Sequence, residues 1–227
     1  MKLQAVKLAL YSLWLTNYYG IKLKMAKEPA KKRQIRLEYA KTLLAKLQID
    51  IDVKNISKLP SDGKFLLVSN HRGIIDPLVV EMALQNSSIY GLWVSKKELY
   101  NSFFFGLFVR NGGSILLDRE QSQMSGFFAD VKREVKSGNS IFIFPEGTRN
   151  KSDMPLIEFK EGSRIIALKN RLPILPLYIK TRTDKALNNS LNDKNIKQTV
   201  VVEIGDIIDY KQKANLQDIY KDMFNIE

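Results

Sequence analysis

A chain of 227 residues fits one compact domain, and a hydrophobic fraction of 44% is ample for an ordinary globular core. Thirty-six Lys+Arg against 24 Asp+Glu give a net charge of +12, which points to a polyanionic partner: nucleic acid, an anionic membrane surface or a phosphorylated substrate. The absence of cysteine excludes a disulfide, a thiolate metal site and a thiol nucleophile, and allows a reducing compartment.

The first 24 residues, MKLQAVKLALYSLWLTNYYGIKLK, contain an uncharged run from Leu8 to Ile21. Ser12, Thr16 and Asn17 interrupt it, no A-x-A site follows, and it falls short of the roughly 20 apolar residues of a spanning helix, so neither a signal peptide nor a transmembrane helix is expected. Leu3, Val6, Leu10, Leu13, Trp14, Tyr18 and Ile21 recur at the spacing of one helical face. A second such pattern runs through Ile35, Tyr39, Leu43 and Leu47, with Ala40 and Leu44 beside them and Lys31, Lys32, Arg33, Arg36, Lys41 and Lys46 at the margins. Aromatic residues and basic margins suit helices lying in a membrane interface, and equally two amphipathic helices packed on the domain. Residues 1–50 are read as this N-terminal amphipathic two-helix element and residues 51–227 as the domain it serves.

From Val53 onward, short β-branched and aromatic runs alternate with helical stretches. The runs are KFLLVSN, SIYGLWVS, GGSILLD, SIFIFPEG, LPILPLYIK and TVVVEIGD; the helices are expected near Pro77–Gln85, Glu120–Lys136, Gly162–Asn170 and Leu216–Phe224. This alternation predicts an α/β domain with a largely parallel, buried sheet flanked by helices, and binding groups gathered where strands hand over to helices. The segment TRTDKALNNSLNDKNIKQ is polar and rich in Asn and Lys, and reads as a long surface loop.

The single histidine, His71, stands in FLLVSNHRGIIDPLVV at the end of an expected strand. Asp76-Pro77 looks like a helix start, with Asp as N-cap and Pro at the first helical position. The same four-residue link also lets the carboxylate fold back onto one imidazole nitrogen, fixing its tautomer as the third group of a catalytic triad does. Three further strand ends carry charge: Lys96 in VSKKELY, Arg119 in GGSILLDRE, and Glu146 and Arg149 in the Pro/Gly-constrained turn of IFIFPEGTRN. Singly each is a surface charge. Together, one base and three cations at successive strand ends describe a site that holds a phosphate and removes a proton nearby. One histidine and no cysteine leave no evident metal site.

NHRGIID, GGSILLDR, FPEGTR and LPILPL, in that order between about Phe65 and Leu177, resemble the four motifs of the glycerolipid acyltransferases, especially the 1-acyl-sn-glycerol-3-phosphate (lysophosphatidic acid) acyltransferases. The first and third motifs are specific; the second and fourth are weak alone. The resemblance implies a glycerol-3-phosphate acyltransferase-like fold and direct transfer of an acyl group from a thioester to the sn-2 hydroxyl of lysophosphatidic acid, giving phosphatidic acid. It makes His71 the general base and Asp76 its orienting partner. Arg119, with Lys96 and Arg149, would hold the acceptor's phosphate. Glu146 and Gly147 would shape the acceptor site, Glu146 by a hydrogen bond to the glycerol backbone, and Pro173 and Pro176 fall in the fourth motif. No G-x-S-x-G elbow competes for the chemistry.

The donor is expected to be acyl-CoA or acyl carrier protein, with no further cofactor, and a bilayer-resident acceptor implies a peripheral or monotopic enzyme on the cytoplasmic face of an anionic membrane. Asn150 stands where many relatives carry serine, and Leu116-Leu117 where Phe-Ile is frequent, replacements expected to touch acceptor preference alone. Glycerol 3-phosphate and other lyso-lipids such as lyso-ornithine lipid are the alternative acceptors, and water would make the same site a thioester hydrolase. A basic nucleic-acid-binding module is the alternative of a different class, supported only by charge, with no helix-turn-helix, zinc-finger or RNP signature.

Overall fold

The computed structural model describes residues 3–118, 124–193 and 196–227. Among them, seven strands form one sheet: β1 (Ile49–Lys54), β2 (Leu66–Ser69), β3 (Gly91–Lys96), β4 (Ser114–Leu117), β5 (Ser140–Ile143), β6 (Ile174–Ile179) and β7 (Gln198–Ile204). Their order is β1-β7-β6-β2-β5-β3-β4, with every neighbouring pair parallel except the antiparallel β6 and β7. The helices in chain order are α1 (Leu3–Met25), α2 (Pro29–Lys46), α3 (Asp76–Ala83), α4 (Lys97–Tyr100), α5 (Gly106–Asn111), α6 (Ser125–Lys136), α7 (Gly162–Asn170), α8 (Thr183–Asn192) and α9 (Leu216–Phe224).

Successive side chains of a strand point to opposite faces, and here both faces are covered, which is why the central runs are apolar throughout. Leu67, Phe142, Leu175 and Leu177 turn to one side, where they meet Leu15 and Leu23 of α1, Leu43 of α2, Val79 and Val80 of α3 and Ala186 of α8 in one core. Leu66, Val68, Ile141 and Ile174 turn to the other, against Val131 of α6, Ile166 of α7 and Tyr220 of α9. The helix that follows β2 thus lies on one face and the helix that follows β5 on the other. These two strands are neighbours, so their C-terminal ends form the switch point at which open α/β sheets bind ligands.

Several expectations need correction. Within the polar segment read as a loop, Thr183–Asn192 forms α8, with Thr183, Ala186 and Ser190 buried and Leu187 and Leu191 against the core; the helical spacing of these five was hidden among Asn and Lys. The strand β1 was missed, and the division at residue 50 falls inside it. After α2 the chain turns at Gln48, in a left-handed conformation (φ 53°), directly into β1. The short helices α4 and α5 were also unforeseen. Pro173 directly precedes β6, an interior strand between β2 and β7. Pro176 inside β6 is tolerated because the β7 ladder begins only at Leu177.

The two N-terminal helices divide the readings left open for them. The face of α2 carrying Ile35, Tyr39, Ala40, Leu43 and Leu44 is wholly buried. In α1 the residues buried are Leu8, Leu15, Tyr19 and Leu23, whereas Leu10, Trp14, Tyr18, Ile21 and Met25 lie exposed. No helix among the described residues is long and apolar enough to cross a membrane.

Candidate active site

The backbone leaves the sheet at His71 because the preceding side chain finishes the ladder. Asn70 Nδ2–H donates to the Ile179 carbonyl (3.0 Å) and Asn70 Oδ1 accepts the Ile179 N–H (2.8 Å), so a side-chain amide takes the place of the next pair between β2 and β6. The chain then loops over Arg72–Ile75 and enters α3 at Asp76-Pro77.

Asp76 is the first residue of α3, and its carboxylate does not cap that helix; it turns back. Oδ2 lies 2.8 Å from His71 Nδ1 and accepts the backbone N–H groups of Arg72 (2.6 Å) and Gly73 (2.8 Å), while Oδ1 accepts the hydroxyl of Thr183 from α8. Asp76 is fully buried, and these donors replace the hydration it has lost. The His71 side chain keeps 18% of its surface exposed. In the neutral tautomer that donates Nδ1–H to this carboxylate, the lone pair is on Nε2.

The loop after β5 holds His71 by its main chain. Glu146 Oε1 accepts the His71 N–H (2.7 Å), Oε2 accepts the Ile157 N–H (3.2 Å), and the Asn150 N–H donates to the His71 carbonyl (2.6 Å). Gly147 adopts φ +66° and its N–H closes the turn onto Phe144 O at 2.9 Å, a conformation that favours glycine. Burial of Glu146 pushes its carboxyl up to about 7; the N–H bonds from His71 and Ile157 and the charge of Arg72 pull the other way, and the charge of Asp76 adds to the rise. Both Glu146 oxygens are thus directed at main-chain donors. Asn150 is buried and organises the segment behind it, with Oδ1 accepting Ser152 N–H (2.9 Å) and Oγ–H (2.7 Å) and Nδ2–H donating to Met154 O (2.9 Å).

Of the predicted cations, Lys96 ends β3, half-buried, and Arg149 is exposed after β5. The parallel order β2-β5-β3 brings these strand ends to the same edge of the sheet as His71. Arg119 lies outside the described residues. Residues that sequence reasoning passed over also shape the site. Thr183 is 107 positions from its partner Asp76, in a segment that carries no motif. Gly73 makes room for it: a Cβ there would sit 2.5 Å from Thr183 Oγ1. The guanidinium of Arg72 ties the His71 loop to the Ser152 carbonyl (2.8 Å) and to that of Met154.

A histidine–aspartate pair, its imidazole partly open to solvent, thus stands at the C-terminal edge of a sheet covered by helices on both faces, where α/β enzymes place their chemistry. The sequence profile of the family described as Acyltransferase matches residues 50–180, and the chain belongs to that family. Curated relatives include the 1-acyl-sn-glycerol-3-phosphate acyltransferase of Haemophilus influenzae, 31% identical over 171 residues that cover 71% of this chain and 68% of that protein. The protein of the same description from Helicobacter pylori is 35% identical over 128 residues, 55% of this chain and 53% of its own length, and that from Bacillus subtilis is 29% identical over 59% and 64%. The chain therefore spans about half to two thirds of the length of several curated relatives. The crystal structure of the 1-acyl-sn-glycerophosphate acyltransferase of Thermotoga maritima superposes with a TM-score of 0.70, 21% identity and coverage of 99% of this chain and 93% of that one, a likeness of fold.

Proposed function

We propose that the protein transfers a fatty acyl group from an acyl thioester to the sn-2 hydroxyl of lysophosphatidic acid, with His71 as general base. The observation that carries this reading is the His71 Nδ1–Asp76 Oδ2 contact of 2.8 Å in the chain's family-matched segment. Nε2 takes the hydroxyl proton as the acceptor oxygen bonds to the thioester carbonyl carbon. The tetrahedral intermediate then breaks its C–S bond, and the imidazolium returns the proton to the departing thiolate. Asp76 holds the ring and balances its transient charge. Lys96, Arg149 and Arg119 serve the acceptor's phosphate, and Glu146 braces the His71 backbone from behind. Base catalysis of this kind contributes about 10² to 10⁴ in rate; placement of the two substrates supplies much of the rest.

The exposed side of α1 supports interfacial attachment at the bilayer where such an acceptor resides. Trp14 is 60% exposed and stacks on Tyr18 at 5.6 Å, an amphipathic aromatic pair of the kind that settles at headgroup depth.

The test is thiol release from acyl-CoA and from acyl carrier protein on vesicles, with and without lysophosphatidic acid. Acceptor-dependent release that falls at least about 10²-fold in a folded His71→Ala variant is expected. Equal release by the variant refutes the base assignment, release without acceptor indicates a hydrolase, and release only with another lyso-lipid or glycerol 3-phosphate changes the acceptor.

A further inference from the structure

The imidazole of His71 is backed by a column of groups reaching into the core. The Phe144 ring lies 4.0 Å from it, centroid to centroid, and is tilted by only 9°. Trp93 of β3 stacks in turn on Phe144 at 4.9 Å and 25°. The Trp93 indole Nε1–H donates to Glu81 Oε1 (3.1 Å), and the same oxygen lies 2.9 Å from Arg36 Nη2. Arg36 in turn donates to the carbonyls of Gly91 (2.9 Å) and Gly112 (3.0 Å).

Stacked rings and a buried ion pair often do no more than fill space. Here the arrangement is costly for that purpose, because Arg36 and Glu81 are both almost fully buried and a well-packed apolar pair would avoid their desolvation. The placement is also specific. Glu81 stands on α3 five residues after Asp76, so one helix supplies both the carboxylate on Nδ1 and the anchor of the stack. The hydrogen bond to Asp76 sets the direction of Nδ1 but leaves the ring free to rock about that bond. A parallel ring at 4.0 Å removes the rocking.

We infer that Phe144, Trp93 and Glu81, with Arg36 behind them, are positioning residues that fix the plane of the His71 imidazole and with it the line along which Nε2 meets the acceptor hydroxyl. The inference rests on His71 being the base, and it deepens that reading. Positional error at a reacting group costs up to about 10²-fold in rate even when the altered residue lies away from the chemistry.

The chain's single histidine makes a direct readout available, since the imidazole proton resonances belong to one residue. In Trp93→Leu, Phe144 loses its support and turns. The expected result is a kcat about 10- to 100-fold lower with KM for the acceptor near wild type, together with downfield movement of the imidazole protons as ring-current shielding is lost. Trp93→Phe, which keeps an aromatic ring but not the bond to Glu81, recovers most of both. If Trp93→Leu does not fold, Trp93→Phe decides alone, with a kcat several-fold below wild type and a partial downfield shift. Unmoved imidazole signals in a folded variant, unchanged kcat, or a rise confined to KM overturns the positioning column. Full activity in His71→Ala overturns the base assignment instead, and the resonance measurement separates the two failures because it needs no turnover.

Discussion

Glu146 shows how much of this site is spent on holding other residues. Its side chain ties the loop after β5 to the His71 backbone, and its burial raises the carboxyl to about 7 from an ordinary value near 4.5. A carboxyl raised on folding keeps a proton that the unfolded chain releases. Its contribution is therefore full below pH 4.5 and is lost as the pH rises towards 7, by about 3 kcal/mol across that window. Urea unfolding of wild type and Glu146→Gln at pH 5 and pH 8 should show the gap between them moving by about this amount in the variant's favour at the higher pH. Parallel stability profiles would contradict the assignment. His71, Asp76 and the Glu146 turn were legible as motifs because each joins a strand end to a turn signal. Thr183 and Asn70 were not, since a hydroxyl or an amide acquires its meaning only from the partner that folding brings to it.

One side of helix α1 is buried and the other is exposed. Leu15, Tyr19 and Leu23 belong to the core, and Gly20 lets α5 approach so closely that a Cβ there would lie 2.9 Å from the Phe108 nitrogen. Removing the whole helix would therefore open the core as well as the surface. Replacing only exposed groups separates the two roles: Trp14→Ser with Tyr18→Ser is expected to leave thermal stability near wild type and to weaken partition onto phosphatidylglycerol vesicles by about tenfold or more. Co-sedimentation measures it, and undiminished binding would show that another surface makes the contact. Sequence periodicity identified helix α1 but took the exposed residues for its single apolar face, because a helix apolar nearly all round does not reveal which side is covered. The strand β1, with Asp50, Asp52 and Lys54 along a sheet edge, lacked the apolar run that marked the central strands.

At the scale of the whole molecule, a net charge of +12 accompanies a candidate site whose predicted ligand is a phosphate ester and an exposed apolar helix face. Charge should draw the protein to an anionic surface and the apolar face retain it. Raising salt from about 0.1 M to about 1 M shortens the screening length from about 10 Å to about 3 Å, so binding to anionic vesicles should fall steeply. A smaller, salt-insensitive binding to neutral vesicles should remain, measured by the same sedimentation. Salt-independent binding to both would remove charge from the account.

Composition and local pattern by themselves determined the α/β class, the parallel sheet and the residues of the His71–Asp76 and Glu146–Arg149 turns. Those features depend on strand periodicity, on Gly and Pro in turns and on spacings of a few residues. Only the tertiary structure decided that Asp76 turns back from its helix, that Glu146 faces main-chain donors, and that Thr183 reaches Asp76 from α8. It alone decided which face of α1 is covered and which rings stand behind His71. Apart from the short turn of Asp76 back onto His71, Arg72 and Gly73, these are contacts between residues far apart in the chain. They follow from the strand order β6-β2-β5-β3, in which the ends of non-consecutive strands become neighbours.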